Sequence, residues 1–164
     1  MKSPARETHN IPPVFDSESR ILILGSFPSV KSREEGFFYG HRQNRFWAVV
    51  SRILGVPKPE TIEEKRDMLI SHHIALWDVI ESCDIAGSAD SKIRNAVPND
   101  ISRITRAADI RHIYLNGGEA FKMFERYNGD IGLPYSRLPS TSPANAAYSV
   151  ERLAREWEVI REFL

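Results

Sequence analysis

RILILGSFPS, residues 20–29, carries the strongest indication of the architecture of this chain. Its apolar run ILILG ends in a glycine and leads directly into a turn that contains Pro28. An unbroken apolar run is typical of a strand buried on both faces, as the strands of parallel sheets are. We therefore expect this run to be the first strand of a parallel sheet, with the SFPS turn at its carboxyl end.

Three further apolar runs predict the other strands, and segments with helical spacing separate them. The strands are residues 73–80 (HIALWDVI), 112–118 (HIYLNGG) and 135–138 (YSRL). The first two helices run from Arg45 to a stop at Gly55 and from a capping box at Thr61 to about Ser71. A short helix follows Asn99–Asp100, and another contains Phe121 and Phe124. The last helix runs from Tyr148 to Leu164. Because parallel strands need connections long enough for a helix, this alternation predicts a three-layer α/β/α domain with a central four-stranded parallel sheet.

The domain organisation is expected to be simple. A length of 164 residues suits one domain with a hydrophobic core. Residues 1–19 hold three prolines and no apolar run, so we expect an irregular lead-in there and a single domain over residues 20–164. Residues 83–98 are small, polar and rich in turn formers, which predicts a surface excursion.

Composition excludes several classes of protein. The single cysteine, Cys83, rules out an internal disulfide, a four-thiolate zinc site and an iron–sulfur cluster held by the chain's own cysteines. The five histidines lack metal-ligand spacing, so we expect no metal site. The apolar runs are far shorter than the roughly 20 residues that cross a bilayer. We expect a cytoplasmic monomer with no membrane association and no obligate protein partner.

Two segments lack acidic residues although the 22 basic and 22 acidic side chains of the whole chain cancel. Residues 36–59 and 131–150 contain no Asp or Glu but include several arginines. Local positive charge favours phosphate binding, although such gaps also arise by chance in a neutral protein. Ligands of parallel sheets bind beyond the carboxyl ends of the strands, so we expect four loops to meet at one rim: 25–44, 78–93, 116–119 and 138–145.

Three motifs in these loops carry polar and aromatic side chains. GSFPS at 25–29 lacks the glycine spacing of nucleotide-binding loops but offers hydroxyls and N–H groups suited to one phosphate. FFYGHRQNRFW at 37–47 combines rings that can stack on a nucleobase with an amide and basic groups. RLPSTSPANA at 137–146 presents three hydroxyls between prolines. Plainer interpretations are turns for the first and third motifs, and core packing for Phe46 and Trp47.

In their order along the chain these motifs resemble those of the uracil-DNA glycosylase superfamily. GSFPS, the FYGH and NRFW strings, WDVIESC at 77–83 with GSADSKI at 87–93, and LPSTSPANA at 138–146 are similar to its hypoxanthine-DNA (deoxyinosine) glycosylase branch, family 6. The resemblance implies a four-stranded parallel sheet between helices and damaged DNA as the partner. It also implies a base rotated into a pocket and hydrolysis of the N-glycosidic bond without metal or cofactor.

The first motif departs from the better-known branches of that superfamily. Those branches carry an Asp or Asn that positions the hydrolytic water, whereas the matching stretch here is Ser26-Phe27-Pro28. Similarity to the hypoxanthine branch implies that Asn44 takes the catalytic role, holding the water or the edge of the base.

The candidate site residues fall into three groups. The base pocket is expected to be formed around Asn44 by Gly25, Ser26, Phe27, Phe38, Tyr39 and Asn116. The DNA backbone is expected to be bound by Pro28, Ser29, Arg42, Arg45, Arg137, Pro139, Ser140, Thr141 and Ser142. Secondary candidates are Asp78, His41 and Asn145.

Three functions remain open at this point. The first is a monofunctional glycosylase of base excision repair that removes a deaminated base, hypoxanthine before others. The second is the same fold acting on uracil or mismatched thymine. The third is a catalytically silent module that binds DNA or nucleotides, which the missing acid of the first motif allows.

Overall fold

The structure, a computed structural model, describes residues 4–87 and 93–164. Its strands are β1 (Ala5–Thr8), β2 (Ile21–Gly25), β3 (Ile74–Asp78), β4 (Ile80–Ile85), β5 (Arg94–Pro98), β6 (His112–Asn116) and β7 (Tyr135–Leu138). Its helices are α1 (Val30–Glu35), α2 (Phe46–Leu54), α3 (Ile62–Ser71), α4 (Ser102–Thr105), α5 (Gly118–Asn128) and α6 (Val150–Trp157), followed by a 3-10 helix (Glu158–Phe163). Most of the GSADSKI motif, residues 88–92, lies outside the described residues.

A four-stranded parallel sheet in the order β3-β2-β6-β7 forms the centre of the structure. β2 pairs with β3 on one side and with β6 on the other, and all five of its residues are buried. Neither face of this strand meets water, which explains the unbroken apolar run ILILG. Helices flank the sheet, so the predicted fold class and the four parallel strands are confirmed.

The long helices begin and end close to the predicted positions. α2 stops at Gly55, which takes the left-handed conformation with φ of 70°. At the start of α3 the Thr61 hydroxyl accepts the Glu64 N–H at 3.1 Å, and the Glu64 carboxylate accepts the Thr61 N–H at 3.3 Å. α1 was not predicted, because the only apolar residue of VKSREE is Val30 and one residue makes no stripe.

The expectation of an irregular segment over residues 1–19 is wrong in part. Ala5–Thr8 forms β1, which pairs antiparallel with β4. Val14 then exchanges two backbone hydrogen bonds of 2.9 Å with Leu76 of β3, so this segment covers an edge of the parallel sheet. β1 is mostly exposed and lacks an apolar pattern, and its partner lies more than 70 residues away, which is why local sequence gives no sign of it.

The predicted surface excursion over residues 83–98 is wrong in part: residues 83–85 and 94–98 belong to strands, while residues 88–92 lie outside the described residues. β3 ends at Asp78, and after Val79 the chain enters β4, which forms a second, antiparallel sheet in the order β1-β4-β5. Cys83, the single cysteine of the chain, is buried in β4. The polar composition of the segment concealed these strands, because only β4 is largely buried while β5 is mostly exposed or half-buried.

The core lies around the central sheet and includes buried aromatic residues of the FFYGHRQNRFW segment, residues 37–47. Phe46 is fully buried, with its ring 4.2 Å from that of Tyr39 and 5.9 Å from that of Trp157. Trp47 is buried against Phe37, so the expectation that Phe46 and Trp47 belong to the core is confirmed. Among the described helices, none is long and apolar enough to span a membrane.

The Thr61 capping box yields a test of local stability. Thr61→Ala removes the acceptor for the Glu64 N–H, so we expect the free energy of unfolding to fall by about 1 kcal/mol. Urea denaturation followed by circular dichroism measures this change. Thr61→Ser keeps the hydroxyl and serves as the control; equal stability of the Ala and Ser variants would contradict the role of the cap.

Candidate active site

A cavity of about 380 Å³ opens at the carboxyl ends of the parallel strands. Four separate parts of the chain contribute to it: the loops after β2 and β7, and the ends of β3 and β6. Of the predicted site residues, it is lined by Gly25, Ser26, Phe27, Pro28, Ser29, Phe38, Tyr39, His41, Asn44, Asp78, Asn116, Ser140, Thr141 and Ser142. Ser32, Pro143 and Ala144 also line it and were not predicted. Arg42, Arg45, Arg137, Pro139 and Asn145 do not.

The end of β2 brings a carboxylate and a phenol close to the backbone of the first motif. A Cβ atom placed on Gly25 would lie 2.6 Å from Asp78 Oδ1 and 3.0 Å from the Tyr39 hydroxyl. The glycine is therefore required by the close approach of these two side chains. Asp78 is only 3% exposed, yet it lines the cavity, so it places a shielded acidic group in the candidate site.

Aromatic rings provide apolar surface in the cavity. Phe27 and Phe38 are both buried and both line it, which suits them to contact a planar ligand. The Phe27 ring also meets the His9 ring edge-to-face at 5.4 Å and carries the Arg33 guanidinium at 5.2 Å. Tyr39 stacks on Phe46, so one face of its ring is already covered by protein.

Asn44 is held at the junction of two loops. Its Oδ1 accepts the backbone N–H of Phe46 at 2.9 Å and the hydroxyl of Thr141 at 2.8 Å. Thr141 lies 97 positions further along the chain and is completely buried. The Asn44 side chain is thus fixed between Phe46, at the start of α2, and the loop after β7.

Asn116, the predicted contact to the base edge, is engaged with protein groups instead. Its Oδ1 accepts the Thr141 N–H at 3.0 Å. Its Nδ2 donates to the Thr141 hydroxyl at 3.0 Å and to the Tyr39 hydroxyl at 3.1 Å. Both hydrogens of the amide are therefore used, and Asn116 supports Thr141 and Tyr39 rather than presenting a free donor to a ligand.

Arg45 also has a different role from the predicted phosphate contact. Its backbone N–H and its Nε donate to the carbonyl of Thr141 at 3.1 and 3.3 Å. Its Nη2 donates to the carbonyls of Ser142 at 2.7 Å and Asn145 at 3.1 Å, and its Nη1 donates to that of Tyr148. All of these carbonyls belong to the loop after β7, so Arg45 fixes that loop against the aromatic segment at residues 37–47.

The loop after β7 presents two hydroxyl groups in a rigid setting. Ser140 Oγ accepts the Ser142 N–H, and Ser142 Oγ accepts the Ala144 N–H, both at 3.1 Å. Each hydroxyl keeps its own hydrogen to donate to a ligand. A Cβ atom on Gly117 would lie 3.1 Å from that of Ser140, so this glycine, with φ of 98°, allows the close approach of the loop.

The remaining predicted phosphate contacts differ in their availability. Ser29 caps α1, and its hydroxyl donates to the Ser32 hydroxyl at 3.1 Å. Arg42 is exposed beside the cavity, while Arg137 is exposed over Gly118, at the first turn of α5. The Pro139 carbonyl accepts the indole N–H of Trp157 at 2.9 Å, which ties the loop to the core.

A buried histidine behind the cavity was not predicted as part of the site. His9 Nε2 donates to the Ile80 carbonyl at 2.8 Å and lies 4.0 Å from Asp78 Oδ2. Burial lowers the pKa of His9, with a smaller contribution from the positive charge of Arg33, while the bond to Ile80 acts in the opposite direction. The neutral ring packs between Phe27 and Asp78, and no local pattern around residue 9 indicates this contact.

Comparison with known proteins gives consistent matches over nearly the whole chain. The family model of the uracil DNA glycosylase superfamily matches residues 12–164. A hypoxanthine DNA glycosylase from Methanosarcina acetivorans is 36% identical over 151 residues, 91% of this chain and 94% of the relative. One from Methanosarcina barkeri is 32% identical over 82% of this chain and 85% of the relative.

A solved structure is similar as well. The solution NMR structure of a Methanosarcina acetivorans protein, assigned as a candidate uracil DNA glycosylase, superimposes with a TM-score of 0.81 at 35% sequence identity. The match covers 93% of this chain and 95% of the other.

The contacts of Arg45 predict a large effect on stability. Arg45→Met removes the donors to four loop carbonyls, so we expect the free energy of unfolding to fall by about 3 kcal/mol. Urea denaturation measures the change. Arg42→Met, at an exposed neighbouring arginine, should alter stability by less than about 0.5 kcal/mol. Equal effects of the two substitutions would mean that Arg45 does not fix the loop.

The lowered pKa of His9 predicts a pH dependence of stability. Below the ordinary histidine pKa of 6.5 the unfolded chain binds a proton that the folded chain does not, so stability falls as pH decreases through this range. The contribution of one group approaches a slope of about 1.4 kcal/mol per pH unit. His9→Gln should reduce the slope between about pH 7 and pH 5 in urea titrations. Identical slopes in the two proteins would contradict this assignment.

Proposed function

Because the chain belongs to the uracil-DNA glycosylase superfamily, we propose that it is a monofunctional DNA glycosylase that removes hypoxanthine from DNA in base excision repair. The observation that carries this proposal is that the Asn44 amide and two buried phenylalanines line the same pocket. Relatives that match more than four-fifths of the chain carry the name hypoxanthine DNA glycosylase. The site has the size and chemistry for one planar base.

The reaction replaces the bond between the base nitrogen and C1′ of deoxyribose with a bond from C1′ to a water oxygen. The base leaves with the electron pair and takes up a proton, and the sugar becomes an abasic site. Positive charge develops on the sugar and negative charge on the base, so preorganised hydrogen bonds around the base lower the barrier. We assign Asn44 as the catalytic residue that contacts the reacting groups.

To reach the pocket, the base must rotate out of the DNA double helix. We place the rotated base against Phe27 and Phe38, because base–aromatic stacking offsets part of the cost of unstacking. Asp78 lies at the inner end of the pocket beside Gly25, where it can accept from an N–H group of the base or from water. Guanine, xanthine and uracil carry such N–H groups too, so this contact alone does not select hypoxanthine.

The DNA backbone is proposed to follow the loop after β7. The hydroxyls of Ser140 and Ser142 each accept a backbone N–H within the loop and keep one hydrogen to donate, which suits phosphate oxygens. Arg42 and Arg137 are exposed and add positive charge near this path. Arg45 and Ser29 are left out of this set because their donors are used within the protein.

We further propose that the protein acts as a monomer in the cytoplasm. Its one cysteine is a buried thiol that needs no oxidising compartment. Sedimentation at micromolar concentration would test the monomer.

A panel of oligonucleotides tests the function. Duplexes that contain hypoxanthine, uracil, xanthine or a G·T mismatch are incubated with excess enzyme, and abasic sites are cleaved with alkali. We expect hypoxanthine to be released fastest. Preference for uracil or mismatched thymine would favour the second function, and binding without release of any base would favour the silent module.

The role of Asn44 is tested in the same assay. Asn44→Ala should lower the single-turnover rate by about 10²–10⁴-fold, the effect of one positioned catalytic group, with the thermal unfolding curve retained. Gln43→Ala, at the exposed neighbouring amide, is the matched control and should remain within about threefold of the wild type. A rate for Asn44→Ala in that same range would remove Asn44 from its proposed role.

A further inference from the structure

The Asn44 carboxamide is held in one of its two possible orientations. The atom that faces the backbone N–H of Phe46 must be an acceptor, because a backbone nitrogen only donates; it is therefore the carbonyl oxygen Oδ1. The Thr141 hydroxyl is the second donor to this oxygen, and an amide oxygen has two lone pairs. Within residues 4–87 and 93–164, no protein acceptor receives the hydrogens of Nδ2. The group that Asn44 offers to a ligand is thus a donor.

Thr141 and Asn116 determine which atom donates in each hydrogen bond that leads to Asn44. The Thr141 N–H donates to Asn116 Oδ1 at 3.0 Å, so the other end of that amide is Nδ2, which donates to the Thr141 hydroxyl at 3.0 Å. The hydroxyl accepts there and has one hydrogen left, which it donates to Asn44 Oδ1 at 2.8 Å. The donor and acceptor of each hydrogen bond therefore determine the donor and acceptor of the next one. Thr141 is 0% exposed, so bulk water does not compete for its hydroxyl.

We propose that Thr141 is a positioning residue that fixes Asn44 as a hydrogen-bond donor to the departing base. This inference rests on the proposed function and specifies how the site performs it. The leaving purine carries negative charge on its ring nitrogens and on the oxygen at position 6, and a donor stabilises this charge. Because both lone pairs of Asn44 Oδ1 are occupied, the same residue does not hold the attacking water through its carbonyl.

Asn44→Asp tests whether the side chain at position 44 must donate a hydrogen bond to the departing base. The aspartate keeps an oxygen for Phe46 and Thr141 but replaces the N–H₂ group with a second oxygen, which at neutral pH only accepts. We expect its single-turnover rate to equal that of Asn44→Ala, about 10²–10⁴-fold below the wild type, as for the loss of one positioned catalytic group. A rate within threefold of the wild type would overturn the proposal, because an acceptor would then suffice.

Thr141→Val tests the positioning role. Valine has nearly the shape of threonine but lacks the hydroxyl, so the Asn44 amide can rotate or shift, and we expect a rate about 10–100-fold lower with little change in DNA affinity. Thr141→Ser should restore most of the rate, since it returns the hydroxyl. Failure of Ser to restore the rate would show that the methyl group, and hence packing, is what matters.

A double-mutant cycle separates positioning from a general structural effect. In the Asn44→Ala background, Thr141→Val should change the residual rate by less than about twofold, because the hydroxyl acts only through Asn44. A further 10–100-fold loss in that background would overturn the proposal. Circular dichroism melting curves establish that each variant is folded, and Asn44→Asp tests the donor role even if Thr141→Val does not fold.

The outcome for the wild type distinguishes this inference from the proposed function. If the wild type releases no hypoxanthine, the proposed function fails, and the same variants are assayed on the base that it does release. If the wild type releases hypoxanthine and Asn44→Asp is equally active, only the donor role of Asn44 fails.

Discussion

The contact between residues 44–45 and the loop after β7 is the interaction on which the rest of the site depends. The Thr141 carbonyl accepts from the backbone and side chain of Arg45, and the Thr141 hydroxyl donates to Asn44. These bonds join parts of the chain that are almost a hundred residues apart, and Thr141, which takes part in all of them, is completely buried. One residue thus fixes the distance between the two loops and the orientation of the Asn44 amide.

The parallel sheet makes this contact possible. Because β2, β6 and β7 run in the same direction, their following loops leave from one edge and reach one another. Two glycines then permit side chains to approach the backbone: Gly25 beneath Asp78 and Tyr39, and Gly117 beneath Ser140. Close packing of this kind explains how two loops and the ends of two strands form one pocket in a small domain.

The sequence predicted those parts of the structure that depend on local patterns. The apolar run of β2, the capping box of α3 and the stripe of α2 are short-range signals, and each of these elements formed. The second sheet was missed because β1 and β4 find each other across more than 70 residues. Loop motifs likewise identified most of the residues around the pocket, but not which donors are used internally: Arg45 and Asn116 have partners that only the fold reveals.

The missing acid of the first motif and the occupied oxygen of Asn44 point to the same chemistry. A site that activates water strongly needs a free acceptor beside C1′. Ser26-Phe27-Pro28 provides no acidic side chain, and the Asn44 carbonyl is already bonded to Phe46 and Thr141. Among the described residues that line the cavity, Asp78 alone is acidic. In the proposed mechanism Asn44 therefore assists the departure of the base, and Asp78 is the acidic side chain that remains to accept a hydrogen bond from water.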